Sequence, residues 1–332
     1  MKYITLSHGS GGKLMHDLIK DLFLKNLDNP FLNKMGDSAL INFGAKKLSY
    51  TTDSFVVKPL FFPGGDIGKL SVCGTVNDLA VSGAMPKYLS CGMIVEDGFS
   101  RADLERITIS IKNTCKSAGV NIVTGDFKVV EKGAVDGIFI NTSGIGEVFN
   151  NSEISISRIR PGDKIIISGT IGDHAASILL AREELKFKTG ISSDCGPLNN
   201  LVSSIICKDI KFMRDPTRGG LATTLNEISL ACGYNIAIEE AGIPIKKPVR
   251  ALCEILGFDP LYMANEGKLI AIVSKDAANN ILSRMKRHPL GKDAGIIGEV
   301  KKEKDKKVYL RTQSGGSRIL DMITGEQLPR IC

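Results

Sequence analysis

The chain has 332 residues, too long for one ordinary hydrophobic core, so two domains are expected. Hydrophobic residues make up 43% and charged residues 24%, the balance of a globular protein with apolar side chain enough for a core in each half. Much of the formal charge of +7 sits in the run KKEKDKK at 301–307, read as a solvated hairpin tip; with 6% aromatics and no Trp there is no base-stacking platform, which argues against nucleic-acid binding.

The N-terminal MKYITLSHGSGG lacks the apolar stretch of a signal peptide, and no run of about 18 apolar residues suits a spanning helix. A cytoplasmic protein without a membrane span is expected. None of the eight cysteines forms C-x-x-C. Cys73, Cys91, Cys115, Cys207, Cys232 and Cys253 lie in apolar or helical surroundings and read as small buried hydrophobes in a reducing compartment.

In chain order, HGSGGK at 8–13 leads into a helix over 13–27, with Leu14, Leu18 and Leu22 on one face. Short strands follow at 39–43, 48–52 and 54–57, then a helix of small residues over 66–84 and a strand over 87–96. Ser100 caps a helix that Gly119 stops. NIVTGD reads as a strand running into a loop, and GIFINTSGIGEV as another strand. After polar NNSEISIS, near 150–158, the pattern restarts: an Arg-Pro-Gly-Asp turn, strand KIIISG, and helices over 173–184, 221–232, 248–256 and 276–286. Strands LIAIV, GIIGEV, VYLR and RILDM complete the set. Strands and helices intermix without strict βαβ order, which predicts an α+β fold rather than a doubly wound sheet. The expected division is 1–42, 43–152, 153–302 and a hairpin with mobile tail over 303–332.

Acidic residues recur beside glycine or at strand ends. Thr52-Asp53 follows a strand, Asn77-Asp78 lies in the small-residue helix, and Gly125-Asp126 with Lys128 follows NIV. Asp215 and Arg218 precede a helix, and Glu266 precedes LIAIV. Converging carboxylates need a cation, and Mg²⁺ suits oxygen ligands shared with phosphate. Glycines and helix N-termini let backbone N–H groups meet phosphate. Local structure explains each piece equally well: TTDS suits an Asx-turn, DPTRGG a helix cap, and NEG a plain loop. HGSGGK is not a P-loop, though Gly11, Gly12 and Lys13 could close over phosphates. Of the four histidines, His8 adjoins this segment, His16 and His288 read as surface, and His174 as a capping or packing residue.

HGSGGKLMHDLI, TTDSFVVKPLFFPGGDIGKLSVCGTVNDLAVSGA, NIVTGDFKVV, SGTIGDHAASIL, MRDPTRGGLATTLNEI, DPLYMANEGKL and the final PRIC occur in that order. Together they resemble the hydrogenase maturation factors of the HypE family. That family lies in the superfamily of aminoimidazole ribonucleotide synthetase (PurM) and selenophosphate synthetase. The resemblance spans essentially the whole chain, and the PRIC end separates this family from its relatives.

The resemblance implies a two-domain PurM-like fold whose N-terminal domains pair in a homodimer, joining their sheets into a barrel-like interface. It implies ATP and Mg²⁺ in a cleft between the domains, with Asp53, Asp78, Asp126 and Asp215 as metal–phosphate carboxylates and Asp37 as helper. Thr52, Asn77, Gly125, Arg218, Lys13, Gly11 and Gly12 would line the nucleotide. It further implies that the carbamoyltransferase HypF loads the Cys332 thiol with a carbamoyl group. The chain would then dehydrate that group to a thiocyanate with ATP and pass cyanide to a HypC–HypD complex. Glu266 is the expected base and Lys128 its charge-stabilising partner. From Gly325 to Cys332 an extended tail spans roughly 20–25 Å, enough to enter a cleft and swing out. Gly36 and Phe127 depart from the family pattern, where an acid and a Thr are common. The rival readings are another ATP-dependent kinase or synthetase of the superfamily, and a thiol carrier without enzymatic activity.

Overall fold

A computed structural model describes residues 12–18, 20–21, 32–37, 39–44, 46–150, 153–182, 190–323, 325, 328 and 331–332. In the first half these form α1 (Gly12–Leu18), β1 (Ala39–Phe43), β2 (Lys46–Phe55), β3 (Phe61–Phe62), β4 (Gly65–Asp66) and α2 (Ile67–Val81), then β5 (Ala84–Glu96), α3 (Arg101–Ala118), β6 (Asn121–Val130) and β7 (Ile138–Val148). The helix expected over 13–27 is seen as α1; 22–31 lie outside the described residues. β2 runs unbroken where two strands were expected, and β6 continues to Val130 instead of ending at Asp126.

The first sheet has the order β1-β2-β7-β5-β6. β5 and β6 pair in parallel, and the other neighbours are antiparallel. α2 is buried nearly all round. Its small residues, Ser71, Cys73, Gly74, Thr75 and Ala80, let it lie close to the sheet on one side and the second half on the other. Asp66 caps it, accepting from Gly68 N–H at 2.8 Å and Lys69 N–H at 3.1 Å. α3 starts at Ser100, which accepts Asp103 N–H, and ends at left-handed Gly119, as expected. Phe55, Leu70, Val76, Ile107 and Ile140 form the core between helices and sheet.

The second half comprises β8 (Lys164–Ile167), α4 (Asp173–Ala181), α5 (Asn199–Ile205), β9 (Ile210–Arg214), α6 (Gly220–Cys232), β10 (Ile236–Glu239), α7 (Lys247–Leu256), β11 (Ile270–Val273), α8 (Ala278–Lys286), β12 (Gly295–Val300), β13 (Val308–Arg311) and β14 (Ser317–Leu320). Its sheet has the order β14-β13-β10-β12-β8-β11-β9. β8 and β11 lie in its interior and are apolar on both faces. Ile165 and Ile167 point to a core with Leu221 and Leu225. Ile166 points to the opposite core, with Leu201, Ile281 and Met285. Ala80 and Val81 of α2 belong to that second core, so one helix of the first half is built into the packing of the other.

The basic run over 301–307 is exposed, but it is not a hairpin tip. β12 and β13 flank β10, one antiparallel and one parallel, so the connection must cross that strand. Asn235 pins it, donating its N–H to Glu303 O and accepting Lys301 N–H, both at 2.8 Å. The hairpin of β13 and β14 is an edge of the second sheet rather than a separate appendage. Cys73, Cys91, Cys115 and Cys253 are buried, and Cys207 and Cys232 half-buried. Among the described residues no helix is long and apolar enough to cross a membrane.

Candidate active site

Alternation along β2 decides which of its residues can act together. Thr51 and Asp53 turn toward α2, where Asp53 Oδ2 lies against Gly74. Thr52 points to the open face and joins Asn141 and Ser143. Thr52 therefore does not share a site with Asp53, contrary to expectation. α2 supplies Asp78, the turn between β9 and α6 supplies Asp215, and the segment before β1 supplies Asp37.

These four carboxylates act on one another. Burial pushes Asp78 well above the usual carboxylate range, and Asp215, Asp53 and Asp37 add to the shift. Burial likewise raises Asp37 and Asp53, and it lifts Asp215 to about 7. The hydrogen bonds agree. Thr51 Oγ1 lies 2.8 Å from both Asp78 Oδ2 and Asp37 O. One hydroxyl proton cannot serve two acceptors. A protonated Asp78 resolves this by donating to Thr51, which donates to Asp37 O. Arg214, not foreseen, pairs with Asp37 at 3.0 Å and Glu227 at 3.2 Å. Burial works against its charge, but the two carboxylates outweigh it.

The folded protein thus keeps protons that the unfolded chain releases near pH 4. Between about pH 4 and 7 the native state binds more protons, so stability falls as pH rises. The ligand-free protein is expected to melt at a lower temperature at pH 7.5 than at 5.5. Asp78→Asn keeps a donor for Thr51 and needs no proton taken up on folding, so it should raise Tm at pH 7.5 by on the order of 5 °C. Thermal unfolding at both pH values checks this.

Among the described residues no three His, Cys, Asp or Glu side chains form a ready-made metal cage. The cluster still fits Mg²⁺. Its donors are oxygens, its negative charge is under-compensated, and Mg²⁺ normally binds through one or two carboxylates plus phosphates and water.

Glu266 borders the same cluster. It is 3% exposed, and its buried Oε1 has no hydrogen-bond partner among the described residues. Burial, then Cys195, Asp215, Asp194 and Asp53, hold its carboxyl well above the ordinary range. Its backbone is clamped from two sides. Asn77, expected at the nucleotide, instead donates to Gly196 O and Glu266 O, both at 3.2 Å, and accepts Leu198 N–H at 2.7 Å. Asp194 accepts the N–H groups of Glu266 and Gly267 and pairs with Lys268 at 3.2 Å. Burial would raise Asp194, but Lys268, His174 and Glu266 N–H hold it low. Removing Lys268 would leave a buried charge unpaired, at a cost of about 3–5 kcal/mol.

Cys332 lies beside Glu266 and Arg218. The Arg218 guanidinium hydrogen-bonds the thiol. Burial outweighs Arg218 at Cys332 and keeps the thiol protonated. Arg218, expected at the nucleotide, thus also touches the tail. Val56 N–H donates to Cys332 O at 3.2 Å, and His174 Nε2 lies 2.6 Å from Ile331 O. Ile331 packs between the core of the first half and a cluster with Val249, Leu252 and Met263.

Asp126 and Lys128 are not brought here. The register runs laterally from Asp53 to Thr142, Cys91 and Gly125, so the row of Asp53 meets β6 three strands away. At about 4.8 Å per strand that is roughly 14 Å. Both side chains are exposed on β6. Gly125 has a structural reason to be glycine, since a Cβ there would stand 2.5 Å from Cys91 O. Lys13 donates its backbone N–H to Ile323 O at 3.2 Å while its side chain is exposed. Gly12 has φ +76°, and a Cβ there would meet Ile323 O at 2.3 Å, so this segment rests on the start of the tail. Gly11, His8 and Arg330 lie outside the described residues.

The domain family described as AIR synthase related protein, N-terminal domain, matches residues 35–148, and its C-terminal domain matches residues 160–311. Carbamoyl dehydratase HypE of Azotobacter vinelandii is 48% identical over 331 residues, covering 99% of this chain and 97% of the relative. A crystal structure of a HypE–HypF complex has a TM-score of 0.88 at 50% identity, covering 92% of this chain and 99% of that one. A crystal structure of HypE with ATP has a TM-score of 0.83 at 47% identity, covering 99% and 100%.

Proposed function

Because the chain belongs to the HypE family of carbamoyl dehydratases, enzymes of hydrogenase maturation, we propose that it dehydrates a carbamoyl group carried on its own Cys332, using ATP. The observation that supports this most is the position of Cys332. Its half-buried thiol lies between Arg218 and Glu266, beside an under-compensated carboxylate cluster suited to Mg²⁺ and phosphate.

The residue types suit the chemistry. An amide oxygen is a poor leaving group, and accepting the γ-phosphoryl of ATP makes it a good one. Bound Mg²⁺, held by Asp53, Asp78 and Asp215, would supply charge neutralisation on the phosphates. Arg218 holds the sulfur end of the thiocarbamate and favours charge on its oxygen. Glu266 takes one of the two nitrogen protons, the departing phosphate carries away the oxygen and the second proton, and a C≡N bond forms on sulfur. In the ligand-free site burial, then Cys195, Asp215, Asp194 and Asp53, push the Glu266 carboxyl upward. Neutralising Asp215 and Asp53 lowers its pKa, so the phosphates and their cation make Glu266 a readier base.

Asp126 and Lys128 act from a second copy of the chain. All of Asn121–Val129 on β6 is exposed, including Ile122, Val123, Phe127 and Val129, and an open apolar sheet edge invites pairing. A homodimer joined there would bring one subunit's Lys128 toward its partner's tail. HypF would load the thiol, and HypC–HypD would receive the cyanide.

Intact-mass analysis of the C-terminal peptide tests the reading, after incubation with a HypF carbamoyltransferase and carbamoyl phosphate. A carbamoyl adduct is expected without usable ATP, and a product one water lighter with it. An unchanged Cys332 would sink the proposal.

A further inference from the structure

His174 is a fully buried side chain without a role in the chemistry above. It follows left-handed Gly172 in the first turn of α4, where the helix end disfavours a positive ring. Burial likewise favours the neutral imidazole, against the pull of Asp194. Its Nδ1 lies 2.8 Å from Ser193 Oγ, and its Nε2 lies 2.6 Å from Ile331 O. A carbonyl only accepts, so Nε2 must carry the proton. Nδ1 then accepts, and Ser193 Oγ–H must donate. Ser193 Oγ itself accepts Cys195 N–H at 3.0 Å. The chain of bonds therefore has one direction, from Cys195 N–H through Ser193 and the ring to the tail. Phe62 meets the ring edge-on with centroids 5.4 Å apart, and Ser193 N–H donates to Pro63 O at 2.8 Å. Both halves of the protein thus fix the ring before it meets Ile331.

We propose that His174 is the positioning residue of the tail: its Nε2–H grips the carbonyl of Ile331 and, with Val56 N–H on Cys332 O, holds the Cys332 sulfur at Arg218 and Glu266. This rests on the reading of Cys332 as the substrate arm. The grip is on the peptide backbone one residue before the thiol, so it serves the free and the loaded tail alike. Ile331 fills the apolar pocket beside it. One neutral hydrogen bond makes a hold that is firm but reversible, as a tail that must also leave the site requires.

The test is alkylation of Cys332 by iodoacetamide in the full-length protein, followed by peptide mass. It needs neither ATP nor a carbamoyl group, so its failure is distinct from failure of the proposed function. His174→Ala should speed Cys332 alkylation roughly three- to tenfold, the effect of losing one net hydrogen bond. His174→Gln can set an amide N–H at the Nε2 position and should restore slow alkylation, whereas His174→Asn, one methylene shorter, should not. Slow alkylation of buried Cys73 and Cys195 in each variant reports an intact core. In the unmutated protein, ring ¹⁵N shifts should show the Nε2–H tautomer. Unchanged alkylation in His174→Ala, a glutamine variant as fast as alanine, or an Nδ1–H tautomer would each overturn the proposal.

Discussion

Glu266→Gln is expected to leave S-carbamoylated Cys332 as the end product, with the dehydration rate lowered by about 10²- to 10⁴-fold, the usual contribution of a positioned base. Glutamine preserves the size of the side chain and cannot take a proton. The backbone at this position is held by Asn77 and Asp194 through main-chain atoms, so the substitution leaves that clamp intact. The Oε1 atom it alters has no partner to lose among the described residues. Loading of the thiol by the carbamoyltransferase should proceed normally, because that step needs only the tail. The unmutated enzyme should also gain rate as pH rises through an apparent pKa above the free carboxylate range, and the variant should lose that limb. Intact mass over time and a pH–rate profile measure both. Thiocyanate formation at a normal rate would remove Glu266 from the role of base.

The second large effect concerns the β6 edge. Lys128→Ala and Glu266→Gln proteins should each be nearly inactive, yet an equal mixture should recover about a quarter of normal activity after subunit exchange. The reason is geometric. If Lys128 serves its partner's site, a mixed dimer has one site with both defects and one with neither. If Lys128 served its own chain, every site in the mixture would stay defective. The roughly 14 Å between β2 and β6 within one sheet favours the first outcome. Phe127→Glu, which sets a charge on the exposed edge, should yield monomers by light scattering and an inactive enzyme. Exchange without recovery would return Lys128 to its own subunit or to a minor role.

Much of the fold is legible in the sequence, because the signals are local. The Ser100 cap, the Gly119 stop, the alternation of GIFINTSGIGEV and the apolar strands KIIISG and LIAIV each depend on neighbours a few residues away. The carboxylates Asp53, Asp78 and Asp215, the base candidate Glu266 and the tail thiol could be singled out for a related reason. Acids in small-residue, glycine-bounded segments are costly to bury, and a resemblance over the whole chain told what they are for.

Other features depend on contacts far apart in sequence. Thr52 and Asp53 are adjacent, and only the facing of β2 separates them onto opposite sides of the sheet. TGD looks like a phosphate loop until pairing with β5 makes it a strand and gives Gly125 a steric reason to be glycine. KKEKDKK looks like a hairpin tip until β10 is found between its two strands. His174 meets a carbonyl 157 residues away, and no period or cap in the sequence encodes that meeting. Most elements, their hydrophobic faces and the stock of chemical groups follow from the order of residues, since short-range sterics and burial set them. The tertiary structure alone decided which groups share one buried space, and with it their protonation: a carboxylate among carboxylates, out of water, keeps a proton that it loses in the unfolded chain.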